Sequence, residues 1–471
     1  MNSTFLDRID DGCLSLLQKK LNAMGRILLA LIACTVFFFV ACGMRYAQID
    51  GYYSGDPTSR IRFTAGLFTL VFALALAIQL RIGRDLPLWA LLLTAAVTGC
   101  VLLAKISLLD YESDDYQIFL TRWMYLYQGL GVKEGLGRYV ESDYTPPYLY
   151  LLQIASHAEY YPWNYLVKFW SILFEVLLCA SVTGIASLRV SGSAPRLLIW
   201  HLVSMLPTVV FNSAYWGQCD VIYVSFCLLA LYLGLRGKGA LSMIFFGIAL
   251  SFKLQSVFFF PVLLPLWLRR DVKLWQVLLI PVAYMAMMIP ALWGGKSLHH
   301  VLTVYIQQAG HYNFITVNGT SLWHLVVTPA QTTGALLKIF GTMATMMGFA
   351  AMIGVCLMLI LRCDRLTDEN VTLACLLTLA AVPYLLPKMH ERYTFGADVL
   401  SVAVAAHNPR LAVLPLLFGL SSYICYTAGL PGNAIFELKW ASLIQGAAVL
   451  LTAAALWRGL NRVPAATEVK G

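Results

Sequence analysis

The sequence predicts an all-α polytopic membrane protein of about 14 transmembrane helices, and three observations carry that expectation. Of 471 residues, 59% are hydrophobic and 12% are charged, with a mean hydropathy of +0.73. A soluble chain carries about a quarter charged residues, so this one lacks the groups to solvate a globular surface. The apolar residues also fall in runs near the length of a bilayer span, and Lys and Arg recur at alternate connections between them. A soluble enzyme, a disordered chain and a nucleic-acid-binding domain are disfavoured on this arithmetic. The net charge of +9 reads as an orientation signal rather than a mark of an anionic partner, and no nucleic acid is expected.

Taken in order, the apolar runs are 28–46, 63–81, 87–105, 164–187, 196–212, 219–235, 239–252, 254–268, 274–293, 335–361, 370–387, 394–407, 411–429 and 438–457. The runs 239–252 and 254–268 are short and nearly touch. Most cysteines sit inside these runs, without Cys-x-x-Cys spacing or nearby His, which argues against zinc sites and a disulfide framework. The first run lacks a small-residue cleavage site, so no removable signal peptide is expected.

Basic residues assign the faces. Lys19, Lys20 and Arg26 precede the first run. Arg81 and Arg84, Arg189 and Arg196, Arg236 and Lys238, Arg269 to Lys273, Arg362 and Arg365, Arg410 and the Arg458/Arg462 tail follow at alternate connections. An even span count then places both termini in the cytoplasm. The resulting organisation is a cytoplasmic segment 1–27, N-terminal spans 28–105, an outer loop 106–163, central spans 164–293, an outer loop 294–334, C-terminal spans 335–457 and a cytoplasmic tail 458–471. The short loops point to a bacterial inner membrane, with the polar connections on its outer, periplasmic side.

The outer loop opens with Asp110, Glu112, Asp114 and Asp115, four carboxylates in six residues. Carboxylates clustered beside an anionic bilayer raise one another's pKa, and one near neutrality suits a general base. The segment Gln117–Gln128 reads as an amphipathic interfacial helix with Phe119, Trp123 and Leu126 on one face. Asp115 and Arg122, seven apart, project from one side of that helix. Glycines at 129, 131, 135 and 137 follow, and then Tyr144-Thr145-Pro146-Pro147-Tyr148.

Three short fragments fall on the same side. Asn212 to Asp220 supplies amides, Trp216, Gln218 and a carboxylate; Phe252-Lys253-Leu254-Gln255 sets a lysine between two short spans; Lys388 to Tyr393 carries three cationic or titratable bases and Glu391. Read singly, Trp216 is an interfacial belt residue, Asp220 a helix cap, and Lys253, Lys388 and Arg392 snorkelling cations. Together they provide acids, amides, aromatic planes and cations sufficient to hold a lipid-linked phosphate and a sugar. A further outer triplet, Asn318-Gly319-Thr320, has the form of a glycosylation sequon, a pattern that also arises by chance.

The patterns Asp115-Tyr116-x-x-Phe119-Leu120-x-x-Trp123 and Tyr144-x-Pro146-Pro147-Tyr148, followed by Trp216-Gly217-Gln218-x-Asp220, Phe252-Lys253-Leu254-Gln255 and His390-Glu391-Arg392-Tyr393, resemble GT-C glycosyltransferases in type and order. The resemblance covers about 107 to 400. Among eukaryotic proteins it is similar to the dolichyl-phosphate-glucose-dependent glucosyltransferases. It implies an inverting transferase that takes a hexose from a polyprenyl-phosphate carrier on the outer leaflet. It places Asp115 as general base with Asp114 as fallback, and His390 on the donor phosphate with Lys253 beside it. The implied substrate-binding set is Arg122, Trp123, Trp216, Gln218, Asp220, Lys253, His390, Glu391 and Arg392. The chain departs from the family in placing the runs 63–81 and 87–105 before the acidic loop, which leaves Asp56 as a rival base.

On that reading a departing phosphate needs cations rather than a second acid, and no nucleotide-binding loop or resident cofactor is expected. Asp114 and Asp115 could hold a divalent ion, which the cations make unnecessary. The expected partners are the bilayer, the lipid-linked donor and a glycan, lipid-linked or protein acceptor. Two rivals stand beside it: a transporter or flippase of a lipid-linked glycan, which calls for repeats, broken helices and midplane charges, and a polysaccharide polymerase or ligase.

Overall fold

A computed structural model describes residues 12, 14–48, 57–158, 160–308, 314–327, 335–430 and 434–462. The rival carboxylate Asp56 lies outside them, as do parts of the N-terminal segment and C-terminal tail. Each of the fourteen apolar runs is helical, because a chain this poor in hydrogen-bonding side chains must satisfy its backbone internally in lipid. Length divides them, however. Among the described residues eight helices are long and apolar enough to cross a membrane, and nine if the bent pair Ser193–Ser204 and Pro207–Trp216 is one span. Asp220–Leu235, Gly239–Phe252, Leu254–Leu268 and Phe395–His407 are shorter, at 10–17 residues. The 52° bend within the pair falls where Pro207 removes a helical donor.

Burial follows the sequence pattern. Asp368–Leu385 is apolar all round, and it is buried without interruption from Asn370 to Tyr384, the signature of a central helix. Asp220–Leu235 is similarly enclosed, packed between Trp163–Ala186 and Gly239–Phe252. At the periphery, Ala23–Gln48 and Ala335–Leu361 expose Leu31, Phe39, Met346 and Ile353, apolar surface that a bilayer covers. The protein is therefore a multi-pass membrane protein. The first three helices pack around Phe37, Phe68 and Phe72 in a second core that they share with Tyr165, Phe169 and Ile172 of Trp163–Ala186, joined further by a bidentate pair from Arg45 to Asp110.

The two ends of the bundle differ in chemistry. One gathers the basic connections, with Arg269 between Asp271 and Asp368 at 2.9 and 2.7 Å and Arg189 on Glu369 at 3.2 Å. The other gathers 107–158, 160–162, 212–220, 253, 387–394 and the segment 314–327. There the chain makes its one short sheet among the described residues: Thr316–Val317 pairs in parallel with Met389–His390.

Candidate functional site

The polar connections at this second end close on a cluster built from four distant segments. Its centre is Arg392, whose guanidinium meets Glu391 Oε1 at 2.9 Å, Asp220 Oδ2 at 3.5 Å and Asp115 Oδ2 at 3.6 Å, with its plane 4.9 Å from the Trp216 ring. Lys253 Nζ donates to Asp220 Oδ1 at 2.7 Å and sits about equally far from the rings of Tyr144, Tyr223 and Tyr393. Gln218 Nε2 donates to Asp115 Oδ2 at 2.9 Å.

Local backbone explains each position. The π-helical turn Phe211–Trp216 ends at Gly217, whose φ of 77° is the left-handed region and whose added Cβ would press on Lys168 and Val167. The Gln218 N–H then closes back on Asn212 O at 2.8 Å, which turns Gln218 and Asp220 inward while Asn212 Nδ2 reaches Tyr426 Oη at 3.0 Å. Lys253 is a single extended residue, φ −156°, between the helix Gly239–Phe252 and the 3₁₀ segment Leu254–Val262, so its side chain leaves both helices and points into the bundle end. His390 is held by the strand pairing, and Gly319 permits it: a Cβ there would lie 2.5 Å from Met389 O and 2.7 Å from His390 O.

The charges are graded by depth. Asp220 is fully buried, Lys253 and Glu391 nearly so, and Asp115 is 34% exposed, the accessible acid of the set. Asp115 Oδ1 carries no partner among the described residues, so one oxygen is fixed and the other is open. Burial pushes the Glu391 carboxyl up, offset only in part by Arg392. Burial alone would weaken the Arg392 charge, but Glu391 and Asp115 outweigh it and keep the guanidinium protonated. Burial, then the charges of Arg392 and Lys253, drive His390 down to about 2. His390 is thus a neutral imidazole beside two fixed cations, not a third cation.

Of the residues singled out in the sequence, Asp115, Trp216, Gln218, Asp220, Lys253, Glu391 and Arg392 converge, with His390 at the edge, 4.0 Å from Glu391. Trp123 reaches the cluster through Tyr144, edge-on at 5.8 Å. Arg122 stays outside and exposed, because the π-turn Tyr116–Leu120 widens the helix and breaks the seven-residue register with Asp115. Asp114 is exposed and joins no ion pair in the cluster among the described residues. The four carboxylates do not act as one group. Burial would raise Asp110, but hydrogen bonds from Arg45 and Tyr165, with the charges of Arg45 and Lys168, hold it below its ordinary range. The expected mutual elevation therefore fails at Asp110, which is a structural anchor. The triplet Asn318-Gly319-Thr320 is also structural, with Thr320 buried and Gly319 against Met389.

Sequence reasoning missed Tyr223 and Tyr426, two of several hydroxyl-bearing residues in their helices, and the strand Thr316–Val317. Among the described residues no three His, Cys, Asp or Glu side chains are grouped to hold a metal ion. Fold and cluster together define a polytopic membrane protein with an ionic, aromatic-walled site at one end of its bundle. No protein-family model and no curated protein matches the chain.

Proposed function

We propose that this cluster is the active centre of an inverting glycosyltransferase of GT-C type, moving a hexose from a polyprenyl-phosphate carrier to an acceptor hydroxyl on the outer face of a bacterial inner membrane. The observation that carries the reading is the half-open Asp115 carboxylate, fixed through Oδ2 by Gln218 and Arg392 and free at Oδ1, beside two buried cations. Asp115 Oδ1 takes the proton of the acceptor hydroxyl as its oxygen bonds to the anomeric carbon. The anomeric carbon–phosphate oxygen bond breaks through an oxocarbenium-like transition state, as in glycoside hydrolysis, and the polyprenyl phosphate leaves with the electron pair. Arg392 and Lys253 stabilise the charge gained there, and an arriving phosphate raises the proton affinity of His390 so that it can donate as well. Asp220, wholly buried, holds both cations without meeting substrate.

The test is sugar transfer in vesicles supplied with a polyprenyl-phosphate hexose. Asp115→Asn is expected to lose about 10²–10⁴ in turnover, the worth of a general base. Near wild-type turnover in Asp115→Asn, with loss in Asp114→Asn or Asp56→Asn, moves the base. A second reading, a transporter of a lipid-linked glycan, is favoured by the 52° break after Ser204 and the buried Lys105–Glu175 pair within the bundle. Movement of the intact lipid-linked sugar between leaflets without transfer would establish that reading instead.

A further inference from the structure

The loop that delivers Asp115 has a second face. Residues 112–128 present Asp115 to the cluster on one side; on the other, Gln117 and Gln128 turn away from it and, with Glu112, line a separate outward-open cleft of about 420 Å³. Tyr125 of the same segment, with Tyr161 and Trp163 from beyond it, completes the lining with aromatic rings. The volume lies within the range of small-ligand sites, roughly 300–1,000 Å³. No residue of the ionic cluster lines it.

Two features of the lining specify a ligand. The first is a built aromatic wall. Tyr125 packs edge-on against Trp163 at 5.1 Å, and the Tyr161 hydroxyl is tied to Thr64 at 2.8 Å, which fixes the ring against the neighbouring helix Pro57–Ile82. Tyr125 is nonetheless 62% exposed, so its ring is held in place with a face uncovered. An interfacial belt residue would turn such a ring toward lipid; here the rings share a concavity with polar side chains. The second feature is the polar set that lines the same cleft. The side chains of Glu112, Gln117 and Gln128 are exposed and make no hydrogen bond within the described residues. They combine a pure acceptor with two amides that both donate and accept.

We infer that this cleft binds a neutral saccharide unit at a site separate from the ionic cluster. A pyranose offers adjacent hydroxyls, each donor and acceptor, to the carboxylate and amides, and an apolar C–H face to the electron-rich face of an aromatic ring. The charge of the lining differs from that of the other site: Glu112 is its only charged side chain and no Lys or Arg lines it, which favours a neutral ligand over a phosphate or uronate. The cleft opens at the same end of the bundle as the cluster, on the opposite face of one short helical segment, and so holds part of a glycan whose other end reaches elsewhere. The inference goes beyond the proposed transfer reaction and stands whether or not Asp115 is a base.

The full chain in phosphatidylcholine nanodiscs, titrated with methyl glucoside, methyl mannoside, methyl galactoside and the matching trisaccharides, tests it by calorimetry and saturation-transfer NMR. Binding at about millimolar strength is expected for at least one sugar, tighter for its trisaccharide, and weakened roughly ten-fold by Tyr125→Ala and by Glu112→Gln. Both substituted side chains are exposed, so unchanged thermal unfolding is expected to accompany the loss. Asp115→Asn retains the binding, which separates this site from the proposed centre. Failure of every sugar to bind, or binding indifferent to Tyr125→Ala and Glu112→Gln but lost in Asp115→Asn, overturns it.

Discussion

Gln218 donates its side-chain amide to Asp115 Oδ2 at 2.9 Å, joining a loop residue to the turn between two helices 103 positions later in the chain. The bond occupies Oδ2 of Asp115 from a buried Gln218 and leaves Oδ1 without a partner among the described residues. It fixes which carboxylate oxygen stays open, which is a geometric rather than an electrostatic contribution. Gln218→Glu keeps the shape and sets like charges together, whereas Gln218→Ala only frees the carboxylate. In the vesicle transfer assay, Gln218→Ala is expected to lower turnover about ten-fold, the worth of a hydrogen bond to a charged group, and Gln218→Glu more. Equal, full activity in both variants would remove Gln218 from the site.

The depressed His390 makes stability depend on pH in a defined direction. Its folded pKa of about 2 lies below the ordinary 6.5, so between those values the unfolded chain binds the extra proton. Stability from this group is therefore complete above about pH 6.5 and is lost as the pH falls below it, by up to about 1.4 kcal/mol per pH unit. Glu391 acts in the opposite sense: its raised pKa favours the folded state while it is protonated, and that contribution fades as pH rises through the folded value. Thermal unfolding from pH 7 to 5 is expected to be steeper for wild type than for His390→Gln. Parallel curves would mean that His390 is not held neutral. Donor phosphate is expected to flatten the wild-type curve as well.

The pairing of Thr316–Val317 with Met389–His390 rests on Gly319. Any Cβ there meets two backbone carbonyl oxygens, at 2.5 and 2.7 Å, and backbone cannot yield as a flexible side chain does. Gly319→Ala is expected to pry the two strands apart and shift His390, lowering transfer at least ten-fold while the helical core, distant from the change, unfolds within a few degrees of wild type. Gly129→Ala is no matching control because its φ of 77° adds strain; Gly66→Ala, with nothing within 4 Å of the added carbon, is. Transfer unaffected by Gly319→Ala would show that the strand does not position His390.

How much of this was legible in the sequence depends on which physical constraint acted. Apolar runs are dictated by the bilayer, so the helices Ala23–Gln48 to Leu438–Asn461 follow the hydrophobic pattern closely. The crossing count does not, since runs such as Phe395–His407 read like spans and are 13 residues long. In a chain with 12% charge, polar residues between spans stand out, and Asp115, Asp220, Lys253 and Arg392 were readable for that reason. Side-chain direction was not. Whether Asp110, Glu112, Asp114 or Asp115 enters the cluster is decided by Arg45, 65 residues away from Asp110, and by a π-turn that no periodicity reveals. The strand partner of His390 was equally hidden, because two residues carry no pattern.

The same reasoning applies to the buried pair Lys105–Glu175. Glu175 accepts from Lys105 through one oxygen and from Ser213 through the other, and Ser213 sits in the π-turn that aims Asn212 and Trp216 at the cluster. A small cavity of about 30 Å³ lies alongside, lined by Lys105, Glu175, Trp200 and Ser204 among others. Removing one partner strands the other charge in an apolar surrounding, so Lys105→Met alone is expected to destabilise by about 3–5 kcal/mol, read as a fall in the unfolding temperature in detergent. Replacing both, Lys105→Met with Glu175→Met, removes the charges together and is expected to restore most of that loss. The double variant still lacks the Glu175 acceptor, which leaves the Ser213 hydroxyl only Val209 O within its own turn and removes its tie to the helix Trp163–Ala186. Hydrogen exchange in 209–216 is therefore expected to stay fast and transfer to stay low after global stability has recovered, because the pair acts on the site through the turn. Recovery of transfer together with stability would make the pair a packing element only. A transporter makes a different demand on the same residues: translocation would fail in the double variant with the 209–216 segment as protected as in wild type.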